Sequence, residues 1–527
     1  MITSLVPEVK QVVSRSAAAV LPLVCCLLAV PAPARAESGT GVTVSTCPPY
    51  GPLTLGEAGA CGGDVLDALF TGLVEYDPRT SRATYAMARS ISTKDNRRFT
   101  VRLREGWTFH DGTEVKAHNF VDAWNQTAGS MSGNALLFED IKGFGSRVMS
   151  GLKVVDDHTF TIELKRPFGP FTQKLGHVAF SPLPDSALKN PASFRREPVG
   201  NGPFRAVTWA PGGTSVLRRF DGYAGRLKAR IEEITYRAYR DDNTAYADLL
   251  GGRLDYLSQV PAVAASRVAE DLDGRVIKPV VGTVQEIGVP LRLGTNADLR
   301  KALSMAIDRK TIAREVFRGS RVPADSFVPP TAEGAKSGAC GAFCRYDPAL
   351  ARKYLARARA KGLRTPVSIP LYYNADGVGY EEWVKAITAS IGKVFKGEVT
   401  VVPRTVKTFD AFQRATYEGT LKGMFRMGWQ LDFPHIQDAL GTFASGDGFN
   451  FGLYRNPRFD ALLRAADREV SRAKAIGLYR RAEAMLVRDM PAIPLWFYRT
   501  EAGYSRRIAA PRLTPFGWLD PASVRPA

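Results

Sequence analysis

The chain has 527 residues, 45% of them hydrophobic and 23% charged, with a formal net charge of +19 and six cysteines. That length exceeds what one hydrophobic core supports, so two or three lobes are expected, and no low-complexity tract argues for disorder outside the termini. The positive charge raises nucleic acid as a partner. Lys and Arg are spread along the chain, however, and no zinc-finger or RNA-recognition motif is present, so anionic envelope polymers or acidic ligands are the expected contacts.

Residues 1–36 differ from the rest. Lys10 and Arg15 precede the apolar run SAAAVLPLVCCLLAVPAPARA, which closes on Ala34-Arg35-Ala36. This reads as a secretory signal peptide cleaved after Ala36: Pro22 and Pro31 break it as a membrane span, and Val24 before Cys25 does not suit a lipid-anchoring site. An uncleaved anchor is the alternative. The expected location is outside the cytoplasm: periplasmic, extracellular or associated with the cell envelope. Cleavage removes Cys25 and Cys26 and leaves a chain of net charge +17. Cys47, Cys61, Cys340 and Cys344 then meet an oxidising compartment, where four cysteines allow three pairings and proximity favours Cys47 with Cys61 and Cys340 with Cys344. A four-cysteine zinc site is the rival, and neither pair has its two-residue spacer.

In chain order, RFTVRLREGWTFHDG alternates Phe99, Val101 and Leu103 with polar neighbours, a strand period, before a turn at Asp111-Gly112. A helix follows with Ala117, Phe120, Val121 and Trp124 on one face, and HTFTIELK repeats the strand pattern through Phe160, Ile162 and Leu164. Residues 182–203, rich in Pro, Gly and Asn, read as a lobe crossing, with PVGNGPF its most turn-like part. EITYRAY reads as a strand and TAYADLLGGRLDYL as a helix stopped by Gly251 and Gly252 before another strand. DLRKALSMAIDRKTIAREVFRG predicts two joined helices, the second capped by Asp308. YDPALARKYLARARAKG predicts one with Asp347 at its cap, Pro348 in its first turn, Leu350, Tyr354 and Ala358 on one face and Gly362 at its stop. Near the end, Asn456-Pro457 starts a helix through Phe459, Leu462 and Leu463; a second spans 475–485, and Pro491 and Pro494 close the pair. The class is therefore α/β or α+β in more than one lobe.

Catalytic motifs are weak. His110, His118, His158, His177 and His435 show no metal-binding spacing, and no nucleophile elbow, phosphate loop or dinucleotide fingerprint occurs, so no metal or cofactor is expected. SxxK recurs at Ser150, Ser186, Ser390 and Ser471, and Lys336-Ser337-Gly338 resembles a KTG element. It lies in a loop rich in Pro, Gly and Cys where a serine acyl-enzyme would need a strand.

Taken together, the segments FTGLVEYDP (70–78), FTVRLREGWTFHDGTEVKAHNFVDAW (99–124), PVGNGPF (198–204), LRKALSMAIDRKTIAREVFRG (299–319), YDPALARKYLARA (346–358), GWQLDFP (428–434) and NPRFDALL (456–463) make the chain resemble the family 5 extracellular solute-binding proteins, the peptide-binding receptors of ABC importers. The resemblance implies a two-lobed periplasmic-binding-protein fold (type II) that closes about a hinge, with an extra subdomain. Lobe I would take 37–75, 198–285 and 493–527, the subdomain 76–197, and lobe II 286–492. It implies no enzymatic activity, a short peptide as ligand, a membrane permease with its ATPases as partners, and a monomer.

In that family an Asp three residues after the tryptophan accepts the ligand's α-ammonium, the place held by Asp432; from the residues alone Asp432 could equally be a turn or cap residue. Trp429 matches a side-chain pocket wall. Arg426 matches an arginine near the ligand's carboxylate end, its alternative being a partner for a nearby acid. The chain departs from the family at Lys116, where a capping Thr is usual, at His118-Asn119 in place of an acidic residue, and in the Cys47–Cys61 segment, which replaces a common LDP. Competing readings are the same fold holding a metal chelate, an opine or an oligosaccharide, a sensor that signals without import, and the serine acyl-enzyme.

Overall fold

The computed structural model describes residues 41–527 apart from 49–53, 58–60, 78–79, 131, 291–295 and 378. The signal-peptide reading and the first residues expected in lobe I lie outside these. Three main sheets organise the chain. A seven-stranded sheet contains Gly41–Thr46, Phe204–Thr208, Thr214–Arg219, Glu233–Ala238, Tyr256–Leu257, Val276–Ile277 and Ala502–Tyr504. A six-stranded sheet runs in the order Arg321–Pro323, Ala492–Arg499, Val280–Gly288, Met424–Gln430, Val367–Asn374, Val399–Val406. A four-stranded antiparallel sheet of Ala88–Thr93, Arg98–Leu103, Thr159–Glu163 and Leu152–Asp156 carries the helix Ala117–Ala128.

These elements form where their patterns put them. Phe99, Val101, Leu103, Phe120, Trp124, Phe160 and Ile162 are all buried, so the period-2 and period-3.6 stripes meet across one interface. At Lys116, which has no acceptor to cap with, Asn119 Oδ1 reaches back to the Lys116 N–H at 2.8 Å and supplies the reciprocal half of a capping box. Asp308 and Asp347 cap their helices by accepting from Thr311 N and Leu350 N. The helix Pro348–Ala360 buries Ala358 as expected, but otherwise Ala351 and Leu355, with Leu350 and Tyr354 half-buried beside them. The last long helix is Arg472–Asp489, longer than expected, and Pro494 lies within a strand rather than after a helix. A ladder irregularity sits beside Pro494, whose carbonyl is taken by Arg309 Nε at 2.8 Å, which is how a strand tolerates the residue. Residues 182–203 also hold two short helices, Asp185–Lys189 and Pro191–Arg196, each built on a proline at or before its first turn.

The chain passes from the seven-stranded to the six-stranded sheet between Ile277 and Val280, and returns between Arg499 and Ala502. Borders at 285/286 and 492/493 would cut strands whose partners all lie in the six-stranded sheet. The two crossings run side by side: Thr500 N donates to Pro279 O, and Lys278 forms an ion pair with Glu501. Two disulfides join Cys47 to Cys61 and Cys340 to Cys344. Among the described residues no group of His, Cys, Asp and Glu could hold a metal ion.

PVGNGPF has a specific task. Asn201 is fully buried; its Oδ1 accepts from Thr71 N at 3.1 Å and its Nδ2 donates to Thr71 O at 2.8 Å, so the side chain pairs with a main chain like one rung of a ladder. The flanking glycines permit that approach, since a Cβ on Gly202 would come within 2.5 Å of the Leu69 carbonyl carbon. His110 clamps the same loop, accepting from Gly200 N through Nδ1 with Nε2 3.1 Å from Gly202 O, and burial pushes its imidazole down to about 4. Replacing Asn201 with Ala strands a buried N–H and a buried C=O of Thr71, at roughly 1–3 kcal/mol each. Asn201→Ala is therefore expected to lower stability by about 2–6 kcal/mol, measured as a shift in the urea midpoint.

Candidate functional site

The stretch after the strand Met424–Gln430 lies where two cores meet. Trp429 pairs with Val284 in an unbroken antiparallel ladder, and Leu431 N then donates to Gly282 O at 2.8 Å. Leu431, 2% exposed, belongs to the core of the six-stranded sheet; Phe433, 3% exposed, belongs to the core shared by the other two sheets, edge-on to Phe168. Asp432 lies between them, half-buried. Pro434 O accepts from Gln173 Nε2 and from Glu333 N, so the turn is held from both sides. The helix Ile436–Gly441 follows, capped by His435 Nδ1 on Gln437 N.

Asp438, in the first turn of that helix, ties the site together. Its Oδ2 accepts from Trp429 Nε1 at 2.9 Å and from Asp432 N at 3.0 Å, so one oxygen fixes both the indole and the main chain of the acid. The Asp432 carboxylate itself receives no hydrogen bond from a described residue. Burial pushes it up to about 6, with Lys174 pulling the other way. Burial, and then the charge of Asp432, push Asp438 far above the usual carboxylate range. Lys174, the nearby cation, is buried and already bonded to Asp140 Oδ2 at 3.0 Å; burial pulls it down and Asp140 more than offsets that. The seam thus holds one paired lysine and two acids whose carboxyls burial pushes up.

Trp429 is partly buried, with Phe449 tilted against it at 4.7 Å. Arg426 is three residues away on an extended strand, so it leaves on the opposite face. Its Nε donates to Asn374 Oδ1 at 2.5 Å, and its guanidinium lies 4.5, 5.1 and 5.0 Å from the ring centres of Tyr380, Phe409 and Phe412. Among the described residues no carboxylate forms an ion pair with it. The structure therefore brings Trp429 and Asp432 together and sets Arg426 apart in an aromatic cage. Asp438, Lys174 and Asp140 were not singled out from the sequence. Asp438 had a signal, an acid set among Ile436, Ala439 and Leu440 at core-facing helical positions; Lys174 and Asp140 had none.

The acyl-enzyme elements do not assemble. Ser390 Oγ is occupied by Ala306 O and Asp308 N, Ser337 Oγ donates to Asp325, and Lys393 is exposed. The histidines also have structural partners: His118 with Asp185, His158 with Glu114, and His177 capping Val178–Phe180. Among the described residues no helix is long and apolar enough to cross a membrane.

The family model of the bacterial extracellular solute-binding proteins, family 5, middle region, matches residues 83–451. The oligopeptide-binding protein OppA of Bacillus subtilis (strain 168) is 26% identical over 467 residues, covering 83% of each chain. The periplasmic oligopeptide-binding protein OppA of Salmonella typhimurium is 26% identical over 451 residues, covering 82% of each. Among solved structures, the periplasmic murein tripeptide binding protein MppA in its unliganded open form matches with a TM-score of 0.81 at 20% identity, over 93% of this chain and 98% of its own. Haemophilus influenzae OppA in complex with RPPGFSPFR matches with a TM-score of 0.72 at 19% identity, over 93% and 99%. The fold is that of these two-lobed binding proteins, and the chain belongs to the bacterial extracellular solute-binding proteins of family 5, which are binding receptors and not enzymes.

Proposed function

We propose that this chain is the substrate-binding receptor of an ABC importer, exported from the cytoplasm, that captures short peptides by their α-ammonium at Asp432 and delivers them to a membrane permease and its ATPases as a monomer. The observation that carries this reading is the carboxylate of Asp432, fixed through its own N–H yet without a donor among the described residues, beside a lysine already committed to Asp140. A peptide recognised at its ammonium and along its main chain needs no fixed side chain, and Trp429 offers a broad wall to varied ones. The relatives named for oligopeptides support the same ligand class. On this reading lobe I is built on the seven-stranded sheet with the subdomain beside it, lobe II on the six-stranded sheet, and the paired crossings at 278–279 and 500–501 form the hinge. Arg426, committed to Asn374 and three aromatic rings, has no part in this capture.

Three outcomes are expected. Asp432→Asn keeps the shape and removes the charge; a charged hydrogen bond is worth ~1.5–3 kcal/mol, so affinity for a tripeptide should fall on the order of 10–100-fold by calorimetry. N-acetylating the peptide should cost the native protein as much and the variant much less, because both changes remove one interaction. Equal native affinity for the acetylated and free peptide would make Asp432 a turn residue and favour a solute without an ammonium.

The second concerns pH. Binding uses the ionised carboxylate, whose pKa in the free protein lies at about 6. Affinity should therefore be constant from pH 7 upward until the peptide amine titrates, and fall as pH drops through 6, approaching tenfold per unit. Asp432→Asn should flatten that limb. A native profile flat from pH 7 to 5 would contradict the assignment. Third, saturating peptide should reduce the radius of gyration in solution scattering as the hinge closes; an unchanged profile would place the ligand on one lobe only.

A further inference from the structure

A cavity of about 370 Å³ lies beside the Asp432 seam, between the helix Gly63–Leu69, residues 70–76, the turn at Tyr223 and the C-terminal stretch 512–522. Its walls include the rings of Tyr76, Tyr223, Phe516 and Trp518, and three carboxylates line it: Asp67, Glu75 and Asp520. Two of these have partners. Asp520 pairs with Arg512 at 2.9 Å, and Glu75 takes a hydrogen bond from Tyr223 with Arg226 acting on it from nearby. Both arginines are exposed, at the rim of the cavity. Asp67 has neither a hydrogen bond nor an ion pair with any described residue, and burial, followed by the charges of Asp64, Asp520 and Glu75, pushes it up to about 8.

Crowded carboxylates beside aromatic faces are relieved by a cation, which lowers their mutual repulsion and is itself attracted to the rings. The rim arginines are directed to Asp520 and Glu75, so the place left for a cation is at Asp67. Tyr76 connects this space to the seam: it lines the cavity, and the charges of Asp438, Asp67 and Asp432 all act on its hydroxyl.

We propose that this cavity receives the ammonium or guanidinium group of a basic side chain on the captured peptide, with Asp67 as its partner and Glu75 in support. The receptor therefore favours peptides carrying lysine or arginine. This rests on the peptide-receptor reading for its ligand and adds a second, separately testable contact.

Calorimetry on the native protein should compare Lys-Ala-Ala with norleucine-Ala-Ala, which keeps the four-carbon chain without its charge. The lysine peptide should bind on the order of tenfold tighter, as loss of one charged hydrogen bond implies. That ratio should collapse toward one in Asp67→Asn and shrink in Glu75→Gln. Equal affinity for the two peptides, or a lysine preference unchanged by Asp67→Asn, overturns the inference and leaves the peptide reading intact. A further arm needs no peptide: propylguanidine added to Asp432→Asn should raise its melting temperature, and the added change Asp67→Asn should remove the rise. If that holds while neither peptide binds, the cavity stands and the peptide reading falls. If propylguanidine has no effect and neither peptide binds, both fall.

Discussion

The site depends on one constraint: Leu431 and Phe433 of GWQLDFP, two residues apart, are anchored in different cores. Leu431 is buried with the six-stranded sheet and Phe433 with the core that runs through the other two sheets. Neither can move without opening an apolar contact, each fully buried side chain of this size being worth ~1.5–3 kcal/mol. Asp432, between them, is pinned at the seam by its neighbours. Its carboxylate is held in place by packing, and its main chain by Asp438. A charge in apolar company is costly, and here the cost appears as a carboxyl that burial pushes up to about 6.

The surrounding charges follow from that placement. Lys174 acts on Asp432 from nearby, but its ion pair is with Asp140. Asp438 gives its acceptor to the indole and the amide, so it ties Trp429 to the main chain of Asp432. The two crossings at 278–279 and 500–501, joined by Lys278 and Glu501, are short and adjacent. Arg426 is stabilised differently, by rings and an amide, and remains a cation without a carboxylate.

Local signals were reliable where the cause was local. The caps at Asp308 and Asp347, the inward stripe of Phe120 and Trp124, and the alternation of Phe99, Val101 and Leu103 all follow from periods and capping chemistry within a few residues. Leu350 and Tyr354 were expected on the inner face of Pro348–Ala360 because they are large and apolar; they lie beside the true inner face, where Ala351 and Ala358 allow close approach. Pro494 misled as a stop because its irregularity is absorbed by a strand partner and by Arg309, both distant in sequence.

By itself, then, the sequence determined the mixed α/β elements, their caps and turns, the membership of a solute-binding family through seven ordered segments, and Asp432 and Trp429 as neighbours in one motif. The tertiary structure decided everything that depends on which distant segments meet. It set Leu431 and Phe433 in separate cores, placed Lys174 beside Asp432 while giving it to Asp140, put Asp438 between the indole and the acid, and put the sheet crossings at 278–279 and 500–501. The physical reason is that periodicity and capping report energies within a turn or a strand. The ionisation of a buried carboxylate is set instead by whatever charge and solvent the fold brings within a few ångströms of it.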